Sequence, residues 1–419
     1  MHPNALLELA TELLHRVLQL QHPADGVVSD FFRQHRQLGS RERHTLAETT
    51  YTVLRQRALF QHLAQSGKGE MERRLAILAW QGNAGFLKAA LTETEQKWLD
   101  QVGAIDRSAL PERLRHNLPE WLAERLQAAL GDEFWPLVDG LNTPAGLDLR
   151  VNALKSKRDE ARQALAAAGI EAEPTPYSPL GLRVPGKPAL HKVDVFLRGE
   201  VEVQDEGSQL LARLLDAKRG EMVVDFCAGA GGKTLAIGAA MRNTGRLYAF
   251  DTSGHRLAAL KPRLARSGLS NVYPVQIAHE RDERIKRLAG KIDRVLVDAP
   301  CSGLGTLRRN PDMKWRQTPE SVAELAVKQA AILDSAARLL KPGGRLVYAT
   351  CSLLEDENEA IARAFSASHA RDFAEVPAAD ALARAHVNGA DDLVREGYLR
   401  LWPHRHGTDG FFAAIWERI

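Results

Sequence analysis

Met222-Val-Val-Asp225 runs directly into Phe226-Cys-Ala-Gly-Ala-Gly-Gly-Lys-Thr234, and a helix-forming stretch follows from Leu235 to Met241. A glycine-rich turn between a buried strand and a helix lets the backbone pass close to a bound ligand. Outward from this turn, apolar strand-forming runs recur at Leu247–Asp251, Val272–Gln276, Val295–Asp298 and Arg345–Ala349, with helical stretches between them. That alternation predicts a parallel sheet with helices on both faces, a Rossmann-like doubly wound α/β domain over residues 206–419. Asp251 closes the second strand, near the ~20-residue spacing of an acid that binds ribose hydroxyls. The dinucleotide fingerprint GxGxxG is missing, which weakens a nicotinamide reading and leaves room for S-adenosylmethionine.

Upstream the texture differs. Leu6, Leu9, Leu13, Val17 and Leu20 recur at three- and four-residue steps, which places them on one helix face. A second helix is expected from Ser40, as N-cap, through Tyr51 and Arg57, and others around Met71 to Trp80 and Pro119 to Leu130. Residues 1–140 therefore read as an all-α domain. Strand alternation in Leu147–Asn152, a helix from Arg158 to Ala168 ended by Gly169, and Pro/Gly-rich loops from Glu171 to Pro188 make 145–205 a small α+β module.

Composition sets outer limits. The 419 residues carry 56 Lys+Arg against 53 Asp+Glu, a formal net charge of +3. Any nucleic-acid site must then be a local basic face, not a global field. Three cysteines make no disulfide scaffold. Met1 to Leu20 lacks the apolar core of a signal peptide, and no run approaches the roughly 18 apolar residues that span a bilayer, so the expected location is the cytoplasm.

Position gives the cysteines their meaning. Arg294-Val-Leu-Val-Asp298 opens onto Ala299-Pro-Cys-Ser302, and Arg345-Leu-Val-Tyr-Ala349 opens onto Thr350-Cys-Ser352. Each thiol sits just past the C-terminal end of an expected parallel strand, where open α/β sheets bind ligands. A lone buried Cys is usually a small hydrophobe; two at equivalent strand ends beside a cofactor loop point to chemistry. No C-x-x-C or clustered His/Cys spacing appears, so no metal is expected, and His404 and His406 are read as part of a solvent-facing loop.

These residues resemble the RsmB/Sun family of RNA 5-methylcytosine methyltransferases. The resemblance is carried by Asp298-Ala-Pro-Cys-Ser302, Thr350-Cys-Ser352 and the 225–234 loop, and extends to Leu149–Lys155, Val203–Ser208, Asn310–Trp315 and Asp409–Ala413. The helical region, with Leu38-Gly-Ser-Arg-Glu-Arg43, is similar to the NusB-like RNA-binding domain of bacterial 16S ribosomal-RNA members. The resemblance implies S-adenosylmethionine held by Cys227, Ala228, Gly229, Ala230, Gly231, Gly232 and Lys233, with Asp251 on the ribose. It implies Cys351 as nucleophile at cytosine C6, Cys301 as helper of product release or base, and Asp298 both on the cytosine edge and among the cofactor-binding residues. DNA cytosine methyltransferases attack instead with a Pro-Cys cysteine, so the reversed assignment stays open. The family loop usually reads Ala-Pro where Gly229-Ala230 stands here.

An unstacked base must enter such a crevice, which favours flexible RNA, small-subunit ribosomal RNA by the resemblance. Arg150, Lys155, Arg308, Arg309, Lys314, Trp315 and Arg316 supply cations and one aromatic as RNA contacts. Two rivals remain at this point: a nicotinamide-dependent oxidoreductase, and a non-catalytic RNA-binding or ribosome-assembly factor.

Overall fold

The computed structural model describes residues 1–80 and 89–419. It divides into two units, one of Met1–Pro144 with Thr306–Thr318, the other of Ala145–Gly305 with Pro319–Ile419. Residues 306–318, which the sequence reading assigns to the catalytic stretch, thus cluster with the helical unit.

In the helical unit, Pro3–Val17, Ala24–Gln34, Ser40–Arg55, Arg57–Ala64 and Met71–Ala79 enclose one core. Leu6, Leu13 and Val17 are buried, as their spacing predicts, together with Phe31, Leu46 and Leu75. Ser40 is not a cap; Gly39 holds that position, makes no side-chain cap bond, and Ser40 is the first helical residue. The segment 306–318 is seated by specific bonds. Lys314 Nζ donates to Arg55 O at 2.9 Å and Trp315 Nε1 to Leu54 O at 2.7 Å. Asp312 Oδ2 accepts from Ala24 N at 3.1 Å, capping a helix whose own N-cap, Pro23, has no side-chain acceptor to offer.

The other unit begins with a four-stranded antiparallel sheet, β1 (Leu147–Val151), β2 (Glu173–Pro174), β3 (Gly181–Val184) and β4 (Val201–Val203), in the order β2-β3-β1-β4. Leu149, Val151, Leu182 and Val201 face the helix Arg158–Ala167, and Gly169, at φ +75°, ends that helix.

Nine strands among the described residues form the main sheet: β5 (Met222–Asp225), β6 (Arg246–Asp251), β7 (Val272–Gln276), β8 (Ile292–Asp298), β9 (Leu340–Thr350), β10 (Phe373–Glu375), β11 (Val394–Arg395), β12 (Tyr398–Leu401) and β13 (Phe411–Arg418). The order is β11-β12-β13-β9-β8-β5-β6-β7, with β10 beside β13. From β7 to β9 the pairing is parallel. Beyond β9 it turns antiparallel: β13 pairs Phe412 with Thr350 and Glu417 with Arg345. The order reverses between β5 and β8, and in open α/β sheets the ligand crevice lies outside the carboxyl ends of the strands at such a point. Those ends are Asp225 and Asp298. No helix among the described residues is long and apolar enough to cross a membrane.

Candidate active site

The loop after β5 is shaped by its glycines. Gly229 and Gly231 have φ of +56° and +82°, in the left-handed region. A Cβ on Gly231 would lie 2.1 Å from Cδ1 of the buried Leu260, so the loop packs closely against the protein there, whereas Gly229 has open space where its Cβ would stand. Gly232 then starts the helix Gly232–Ala240. Asp251, at the end of β6, accepts from Gly229 N at 2.8 Å and from Ser253 N at 2.7 Å, which ties the two strand ends together. Asp225 is buried; Thr234 Oγ1 donates to its Oδ2 at 2.6 Å, while its Oδ1 has no hydrogen-bond partner among the described residues. Burial pushes this carboxyl up to about 7, against the pull of Thr234. Arg263, unmarked by any motif, donates to Ala230 O at 2.6 Å and to Glu202 Oε1 at 3.3 Å, tying the loop to β4.

Beside this loop the two strand-end thiols meet. Cys301 Sγ and Cys351 Sγ are 3.4 Å apart although fifty positions separate them. Gly305 N donates to Cys351 O at 2.8 Å, and a Cβ on Gly305 would lie 2.1 Å from Gly410 O and 2.7 Å from Cys351 O, so only glycine permits this approach. The hydrogen bond with Cys351, then burial, raises Cys301 well above the ordinary thiol value. Two thiols at this distance cannot both ionise cheaply, so a second negative charge on the pair is opposed. Cys227 is raised too, chiefly by burial. Lys233 Nζ donates to Asp298 Oδ2 at 2.7 Å. Burial alone would lower this ammonium, but Asp298 outweighs it and raises it, and Cys351 acts in the same direction. A single cation thus faces both the carboxylate and the Cys351 sulfur.

Comparison with known proteins names this arrangement. The 16S rRNA methyltransferase RsmB/F family matches residues 212–417, and its ferredoxin-like domain matches 118–191. The chain is 37% identical over 312 residues to a probable ribosomal RNA small subunit methyltransferase B of Synechocystis sp., covering 74% of this chain and 69% of that one. It is 34% identical over 338 residues to the corresponding protein of Bacillus subtilis, covering 80% and 74%. The chain belongs to the RsmB/F family of ribosomal RNA methyltransferases. The solved PH0851 protein superposes with a TM-score of 0.81 at 28% identity, over 100% of this chain and 99% of that one. A methyltransferase homolog from Pyrococcus horikoshii does so at 0.63 and 28%, over 75% and 100%. As an RsmB/F methyltransferase the chain uses S-adenosylmethionine as its cofactor.

Within this RsmB/F chain the expected RNA contacts fare unequally. Arg150 is 3% exposed and donates to Gln204 Oε1 at 2.6 Å, which leaves its head inside the protein. Lys314 is 2% exposed, its ammonium taken by Arg55 O. Both placements depart from the expectation of cations offered to phosphates, because each charge is spent on an internal acceptor. Lys155 is exposed, yet its Nζ donates to Arg198 O and Arg266 O, each at 2.7 Å. Arg308 and Arg309 are half-buried; Arg57 lies over the Trp315 ring at 5.3 Å, and Arg316 stands 3.6 Å from Asp312 Oδ2. These residues are distributed over both units. His406 is buried rather than in a solvent-facing loop: its Nδ1 accepts from Trp402 N at 2.8 Å and its Nε2 lies 3.1 Å from Asp392 O.

Proposed function

We propose that this RsmB/F protein methylates C5 of a cytosine in 16S ribosomal RNA through a covalent adduct between Cys351 and C6. The observation that carries the reading is the pair of thiols 3.4 Å apart, beside the Lys233–Asp298 ion pair at the sheet's switch point. A nicotinamide oxidoreductase gives these thiols no task, and the family membership displaces that reading.

S-adenosylmethionine supplies an electrophilic methyl group when bound. The residues present fit it: left-handed glycines at 229 and 231, open space beside Gly229, an orphaned buried oxygen on Asp225, and an acid at the end of β6. In this reading Cys227 through Lys233 and Asp251 hold it, with Asp298 nearby.

The rest falls to the chain's own groups. C5 of cytosine is a poor nucleophile, so the ring must be activated. The Cys351 thiolate forms a bond to C6, and the C5=C6 electron pair shifts toward N3, making C5 enamine-like. Asp298 hydrogen-bonds the cytosine edge, and the Lys233 ammonium paired with it offsets the negative charge that builds toward N3. After C5 is methylated, Cys301 takes the C5 proton as the C6–S bond breaks and Cys351 leaves as thiolate. Once Cys351 is bound to C6 as a thioether it no longer opposes a second negative charge, so Cys301 can release its own proton to water and is then free to take the C5 proton. Labelled S-adenosylmethionine and unmodified 16S ribosomal RNA should yield labelled 5-methylcytosine. Label on any other position, or none while the cofactor binds, overturns the reading and in the second case favours a non-catalytic RNA-binding factor.

A further inference from the structure

The run Glu355-Asp-Glu-Asn-Glu359 has the composition of a solvated loop, yet Glu357 is 0% exposed. Four donors converge on its carboxylate. Ser302 N and Gln329 Nε2 reach Oε1 at 2.8 and 3.0 Å. Ser302 Oγ reaches Oε2 at 2.5 Å, and Ser352 Oγ bonds the same oxygen. Tyr348 OH donates to the Glu357 carbonyl at 2.6 Å, and Gln329 also donates to Pro300 O at 3.0 Å. Ser302, Ser352, Gln329 and Tyr348 are themselves 0% exposed.

Ser302 and Ser352 are the residues that follow Cys301 and Cys351. One carboxylate oxygen therefore holds the next link of chain after each reactive sulfur. Asn358 and Arg400 support the Cys351 loop alone, through Ser352 O at 3.0 and 3.2 Å. Glu357 crosses to both. An ion buried this way seldom stabilises a fold more than apolar packing of the same volume, so its presence calls for another reason.

We propose that Glu357 is a positioning residue: by gripping Ser302 and Ser352 it sets the separation and orientation of Cys301 and Cys351. This rests on the two-cysteine reading above. Nucleophile and proton acceptor must address adjacent carbons of one ring, C6 and C5, and a displacement near 1 Å in such geometry can cost about 10²-fold in rate.

The test compares Glu357→Gln, Ser302→Ala and Ser352→Ala with the wild-type protein on 16S ribosomal RNA, with kcat counted per S-adenosylmethionine-binding site. An amide nitrogen cannot accept the bonds that a carboxylate oxygen does. Glu357→Gln should lower kcat by about 10²-fold, while KM for RNA and Kd for S-adenosylmethionine stay within about twofold, and each serine variant should show the same split with a smaller loss. A loss of stability shared equally among kcat, KM and Kd, or a kcat unchanged per binding site, overturns the proposal. Should Glu357→Gln yield no folded protein, the serine variants decide by the same criterion. If the wild-type protein forms no 5-methylcytosine, it is the two-cysteine reading that falls; if it does and the variants match it, only the role of Glu357 falls.

Discussion

In the proposed mechanism Cys351 and Cys301 divide one reaction between two sulfurs, and single substitutions should separate their parts. Cys301→Ser should bind RNA, form the C6 bond and then stall, leaving a denaturant-resistant protein–RNA adduct visible on a gel. Cys351→Ser should form neither adduct nor product. Adduct in the Cys351 variant alone would reverse the roles. A second residue-scale expectation concerns Lys314. Burial, and then the neighbouring Arg55 charge, push its ammonium down to about 7. In the unfolded chain the group titrates near the ordinary value of about 10.4. Between those two values the unfolded state binds more protons, so stability from this group rises with pH across the window, and below it the buried charge costs in full. Lys314→Met should therefore be more stable than wild type at pH 7 and lose part of the rise toward pH 9.5, as measured by urea unfolding at both. Charge counts could not reveal this, because a lysine reads the same in sequence whether its head meets water or the Arg55 carbonyl.

Among the elements, the glycine-rich turn is the most exacting. Gly231→Ala must place a Cβ against Leu260 while keeping a left-handed backbone. It should weaken S-adenosylmethionine binding at least about tenfold and cost about 1–3 kcal/mol of stability, read by calorimetry and thermal unfolding. Gly220→Ala, also at positive φ but with open space around it, is the control for backbone strain alone. The parallel strands β5 to β9 were legible because buried strands read as unbroken apolar runs between turn signals. β13 was visible only as the family-like Asp409–Ala413, since its partnership with β9 depends on a register set some sixty residues away. Glu357 was hidden by its acidic neighbours, and Arg263 by the ordinary look of a charged helix face.

For the whole molecule, the decisive fact is that the helical unit takes residues 306–318 from the far side of the sequence. Nothing local announces this, because the seats for Asp312, Lys314 and Trp315 are Ala24, Arg55 and Leu54. A fragment of residues 145–419 should keep its sheet and bind S-adenosylmethionine but leave 306–318 without those seats. Limited proteolysis with mass mapping should find cleavage within 306–318 in the fragment and protection in the full chain. Equal protection in both would mean that the segment holds its shape unaided.

That borrowed segment also imposes an order on synthesis. The amino-terminal unit emerges first, yet its last piece is made roughly 160 residues after Pro144, on the order of 8 to 30 s later at common elongation rates. Meanwhile β5 to β8 have already emerged, and the sheet itself waits for β13 near the end of the chain. Neither unit can close before the other is well advanced, so on the translating ribosome they mature together and not in sequence.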